Sequence, residues 1–132
     1  MANQHSVAAS AVTVPTTTET VLATLGPFNE NMAGEWAQGV AFDGNINLTA
    51  GTGATSATMR IRRGGLTGTL IGVAAAQTVT AGNTVNIPVA ELDPTLVQVG
   101  VTYVVTLQQT AASANGTVNR VIFSCQDATA YE

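Results

Sequence analysis

Lysine is absent from this 132-residue chain, whose four basic residues are Arg60, Arg62, Arg63 and Arg120. That absence excludes Schiff-base chemistry, P-loop phosphate binding and lysine isopeptide crosslinks. Four cations neutralise few phosphates, so nucleic acid is not an expected partner. Cysteine occurs once, at Cys125, and histidine once, at His5, so neither an intrachain disulfide nor a structural zinc site of four His or Cys ligands can form. A lone thiol suits synthesis in a reducing compartment. No apolar run approaches the length that crosses a bilayer, so no membrane partner is expected. The opening Met-Ala-Asn-Gln-His-Ser has neither the basic start nor the apolar stretch of a signal peptide, and the chain is expected to be made as a soluble protein. Charge is scarce as well: 9% of residues are ionisable Asp, Glu, Lys or Arg, against roughly a quarter in an average soluble domain.

Apolar residues account for 45% of the chain, enough for one core, and the exterior must therefore be built from Thr, Asn, Gln and Ser. Abundant Thr and Val favour strands, because side chains branched at Cβ suit a pleated, half-buried surface. The 13 glycines supply turns. With a net charge of −4 spread thinly, little repulsion keeps copies apart, and self-association is expected.

Residues 1–15 are small and polar with apolar points at Val7, Val12 and Val14, which reads as an N-terminal arm ending in a short strand; residues 16–132 read as one β-sandwich domain. Thr18–Leu25 is a strand stopped by Gly26-Pro27, and 28–35 a long loop. Period-two alternation then places Val40, Phe42, Ile46 and Leu48 on one face, with Ala41, Asp43, Asn45 and Asn47 on the other. Ala57, Met59 and Ile61 alternate likewise with Thr58, Arg60 and Arg62, up to a break at Gly64-Gly65. Thr69–Thr80 forms a further strand bent near Gly72. Val85, Ile87 and Val89 alternate through Pro88, which donates no ladder hydrogen bond and marks an edge strand or a bulge. Glu91–Gln98 reads as a connection with a short helical turn. Val101, Tyr103, Val105 and Leu107 alternate again, and Asn115-Gly116 reads as a hairpin turn into the last strand, Thr117–Asp127. Seven or eight strands and two long loops predict an all-β, jelly-roll-like antiparallel sandwich.

No constellation for catalysis emerges. A Ser-His-Asp triad needs its imidazole held rigidly, and His5 lies in the predicted arm. The best carboxylate grouping, Glu30 and Glu35 beside Trp36, is read as a solvated loop rather than a glycosidase pair. The acids lack the dense spacing of a calcium loop. No enzyme activity, metal or cofactor is therefore expected. Arg60, Arg62 and Arg63 form the one basic cluster; Arg60 and Arg62 share a strand face, as a ridge that either meets the carboxylates of a partner or guards an exposed sheet. Asn47-Leu48-Thr49 and Asn115-Gly116-Thr117 match the glycosylation pattern by composition alone. Cys125 reads as a buried small hydrophobe.

Several segments carry a likeness: Val21–Ala33, Asn47-Leu-Thr-Ala-Gly-Thr-Gly, Met59-Arg-Ile-Arg-Arg-Gly-Gly, Thr67-Gly-Thr-Leu-Ile-Gly, Thr80-Ala-Gly-Asn-Thr-Val-Asn-Ile-Pro-Val and Tyr103-Val-Val-Thr-Leu-Gln-Gln-Thr. From about Val21 to Phe123 the chain resembles the small jelly-roll virion proteins of tailed bacteriophages, the capsid decoration or cement class. The resemblance implies a homotrimer seated on the major capsid protein at the outer surface of the shell, made in the host cytoplasm. It also implies a terminal arm that grips the shell or a neighbour, which makes Val7, Val12 and Val14 contact candidates beside Arg60 and Arg62. The competing reading is a fibre or baseplate domain that binds a receptor or glycan, with Trp36, Tyr103 or the long loops as its site.

Overall fold

Alternate residues between Val40 and Leu48 are apolar or glycine, a period that turns one side of an extended chain to a core and the other to water. A computed structural model describes residues 4–14, 18–27, 37–52, 55–73, 76–93, 101–110 and 116–129, and throughout these the regular elements are strands. In chain order they are β1 (Gln4–Val14), β2 (Thr20–Leu25), β3 (Ala37–Thr49), β4 (Thr55–Arg63), β5 (Thr69–Val73), β6 (Gln77–Val79), β7 (Thr84–Asp93), β8 (Tyr103–Gln109) and β9 (Gly116–Thr129).

The strands form two antiparallel sheets. One has the order β1-β9-β3-β7; the other has the order β2-β8-β4-β5, with β6 also on β4. β5 lies against Arg60–Arg63 and β6 against Thr55–Ala57, so the two are halves of one interrupted strand and each sheet is four lanes wide. The register between β4 and β5 skips Ile71, a bulge beside Gly72 where the sequence predicts a bend. Successive strands mostly alternate between sheets, which is the jelly-roll sandwich expected from the sequence. Pro88 lies on β7, an edge strand, as its missing N–H requires. Gly64 and Gly65, with φ of 93° and 119°, turn β4 into β5 through backbone angles that side-chain-bearing residues resist.

The core is the space between the sheets, filled by the predicted faces. Val40, Ile46, Leu48, Ala57, Met59, Ile61, Ile87, Val105 and Leu107 are fully buried. Three rings meet in the gap: Phe42 on β3 lies 4.5 Å from Tyr103 on β8 of the facing sheet and 5.8 Å from Phe123 on the neighbouring strand β9, centroid to centroid. Such ring pairs add about 0.5–1.5 kcal/mol to the area they bury.

Three expectations are corrected. The N-terminal segment is strand over Gln4–Val14, paired with β9 from Gln4↔Gln126 to Val14↔Gly116, rather than an arm that ends in a short strand. Its backbone satisfies a row of β9 groups that would otherwise form an open edge, a role that side-chain pattern does not announce. Glu91–Asp93 belong to β7 rather than to a connection; the rest of that predicted connection lies outside the described residues. Finally, β9 pairs with β1 and β3 in the opposite sheet from β8, so no hairpin joins β8 to β9. An Asn-Gly pair reports a local turn, while distant partners decide which sheet the next strand enters.

Candidate interaction surfaces

Glu19 stands just before β2, where its carboxylate meets the outward positions of β4 and β8. Arg62 holds it in a two-pronged grip: Nε donates to Oε2 at 2.6 Å and Nη2 to Oε1 at 3.0 Å. The Thr106 hydroxyl donates to Oε2 at 2.7 Å. Arg60 Nη1 lies 3.6 Å from Oε1 and donates to Gln108 Oε1 at 2.8 Å, while Arg62 Nη1 donates to the Gly68 carbonyl at 3.2 Å. The Arg62 hydrogen bonds hold the Glu19 carboxyl below its usual range; burial opposes them, and Thr106 and the two guanidinium charges reinforce them. The same bonds raise the Arg62 guanidinium. The basic ridge predicted at Arg60 and Arg62 does occupy one face of β4, but a carboxylate of the same chain pairs with it, closely at Arg62 and at 3.6 Å from Arg60, and offsets one of its two charges. Glu19 is 43 residues from Arg62, and no local spacing connects them.

Arg63 serves a second cluster. Its Nη1 donates to Oδ2 of Asp93 at 3.2 Å, and the Tyr103 hydroxyl donates to the same oxygen at 2.7 Å. Asp93 is 2% exposed and Tyr103 is fully buried. Burial first, then the hydrogen bond and charge of Asp93, push the Tyr103 phenol far above its ordinary value. Tyr103 is thus a core residue with a tethered hydroxyl, in line with its place in the alternation, and is not available as the site of a receptor- or glycan-binding domain.

The outer face of the β1-β9-β3-β7 sheet has a different character. Asn119 Nδ2 donates to Asn47 Oδ1 and to Thr49 Oγ1, both at 2.8 Å. Asn47 Nδ2 donates in turn to Asn86 Oδ1 at 3.0 Å, and the Thr49 and Thr84 hydroxyls lie 2.8 Å apart. These bonds link side chains across β9, β3 and β7. Ile122 and Leu92 are exposed beside them, and Asp43 and Arg120 bring charge to the same face.

The remaining candidates are placed as follows. Val7, Val12 and Val14 stand on β1 in register with Phe123, Val118 and Gly116, which are buried positions of β9. Trp36, Glu30 and Glu35 lie outside the described residues. Cys125 is buried, as read. Among the described residues, no group of three or more His, Cys, Asp or Glu side chains is arranged to hold a metal ion, and no helix is long and apolar enough to cross a membrane.

No family model and no curated protein matches the chain. Solved structures do. A chain from infectious bursal disease virus, Gx strain, superposes with a TM-score of 0.56 at 14% identity, over 98% of this chain and 38% of that one. The VP2 subviral particle of the same virus gives 0.52 at 14% identity, again over 98% and 38%. A Bacillus endospore appendage, from a family of disulfide-linked pili, gives 0.48 at 19% identity over 98% and 89%. The likeness is one of fold. This chain spans well under half the length of the viral chains it matches.

Proposed function

We propose that this chain is a structural protein of a virus particle, a decoration protein that binds the outer surface of a phage capsid and strengthens it. The observation that carries this reading is the pair of four-lane sheets in jelly-roll order, matched along 98% of the chain by a domain-sized part of a virus-particle protein. The resemblance of segments from Val21 to Phe123 to phage decoration proteins narrows the role from virion to capsid surface. A sparsely charged exterior supports attachment through many weak contacts, which become firm when several copies of one assembly engage a lattice together. The major capsid protein is the proposed partner and a homotrimer the proposed form. In this role the chain works mechanically, without catalysis or cofactor.

Co-sedimentation of the purified protein with phage heads that lack it tests the reading. Saturable binding, together with heads that survive heating to a higher temperature, is the expected result. Protein that stays in the supernatant but is retained on host cells or a glycan array overturns it in favour of a receptor-binding domain.

A further inference from the structure

The two outer faces of the sandwich treat charge differently. On one, Arg60 and Arg62 are met by Glu19. On the other, Asp43 and Arg120 are both exposed, and neither forms an ion pair among the described residues. Their register is symmetrical. Across β3 and β9, Asp43 stands opposite Ser124, Asn45 opposite Ile122, and Asn47 opposite Arg120. A bulge on β9 adds Asn119 between Val118 and Arg120, and both Asn119 and Arg120 are exposed. The acid and the base therefore sit on opposite sides of the Ile122 row, each two positions away, about 7 Å along the strands. Ile122 itself is 43% exposed.

We propose that this face joins two copies of the chain, packed sheet against sheet about a twofold axis that crosses the strands at Ile122. A half-turn about that axis exchanges the two ends of the strands. Asp43 of each copy then meets the end that carries Arg120 in the other, so two ion pairs form for one interface, and Ile122 packs on its own counterpart at the centre. This is the self-complementarity that a twofold contact demands, with one patch serving both sides. The remaining side chains suit burial. Asn45, Pro88 and Ala90 are short, and Asn47, Asn86, Asn119, Thr49 and Thr84 already hydrogen-bond one another, so covering them strands few polar groups. The pairing goes beyond attachment to a capsid and is independent of the trimer: it joins single chains into dimers and would link one trimer to another.

Analytical ultracentrifugation of four proteins decides the matter. Asp43→Arg leaves the face with two positive charges, and Arg120→Asp leaves it with two negative ones. Each alone is expected to weaken the doubling step by at least about tenfold, since like charges then oppose one another twice. An equimolar mixture of the two, and the double variant Asp43→Arg/Arg120→Asp, are expected to recover it, because each restores opposite charges at both contacts. Circular dichroism confirms that every variant keeps its strands. A wild-type protein that forms no doubled species at high concentration overturns the proposal. So do single variants that double normally, or a mixture and a double variant that fail to recover.

Discussion

The Tyr103 hydroxyl on β8 donates a 2.7 Å hydrogen bond to Oδ2 of Asp93 on β7, and so joins the two sheets through a pair hidden from water. Arg63 on β4 binds the same oxygen. A buried carboxylate is stable only with such partners, and removing one leaves the others uncompensated. Tyr103→Phe is expected to cost about 1–2 kcal/mol, and Asp93→Asn, which leaves Arg63 without its counter-charge, about 2–3 kcal/mol. Urea unfolding measures both. Equal, negligible losses would show that the cluster does not tie the sheets together.

The same pair sets an alkaline limit. The Tyr103 phenol is raised in the folded state, chiefly by burial, so the folded protein keeps its proton where the unfolded chain releases it. Stability from this group is complete below the ordinary tyrosine value of about 10 and falls as pH rises beyond it. Melting temperature is expected to decline above that pH in the wild type and less steeply in Tyr103→Phe. Parallel profiles for the two proteins would contradict this.

Glu19 acts at the other end of the scale. Its carboxyl is lowered on folding, mainly by the hydrogen bonds from Arg62, so its contribution is present above the ordinary value of 4.5 and is lost as pH falls through the depressed one. Glu19→Gln is expected to lose about 1–2 kcal/mol at neutral pH, with the gap to wild type closing in acid. A gap that persists unchanged below pH ~3 would mean that packing, rather than charge, explains the loss.

How much of this was legible in the sequence depends on the reach of each interaction. The faces of β3, β4, β7 and β8 are written in alternation, so Phe42, Met59, Ile87 and Leu107 could be placed inside from neighbours two residues away. Pro88 narrows its strand to an edge or a bulge by the hydrogen bond it lacks, and the unbroken register of β3 with β7 makes it the edge. Long-range choices left no such mark. That Glu19 would neutralise Arg62, or that β9 would lie between β1 and β3, depends on which strands become neighbours in space. Gln4–Val14 escapes the side-chain pattern for a related reason: strand β1 is defined by pairing along β9, and backbone pairing is nearly silent in side-chain composition.

One silent position in the alternation has a definite cause. Gly44 falls on the inward face of β3 between Phe42 and Ile46, where the pattern calls for an apolar side chain. A Cβ there would lie 3.2 Å from the Met59 methyl carbon and 3.2 Å from Cγ1 of Val89, so the Met59 side chain from the opposite sheet already occupies the room. Gly44→Ala should be tolerated with a small loss, because an unbranched Met tip can shift by a few tenths of an ångström. Gly44→Val should cost about 1–3 kcal/mol through overpacking, and Met59→Ala about 2–5 kcal/mol through the cavity it leaves. If the two side chains compete for one volume, the combined variant will be more stable than the sum of the separate losses predicts, by about 1 kcal/mol or more in a double-mutant cycle. Losses that add to within about 0.5 kcal/mol would instead assign the glycine to the backbone of its own strand.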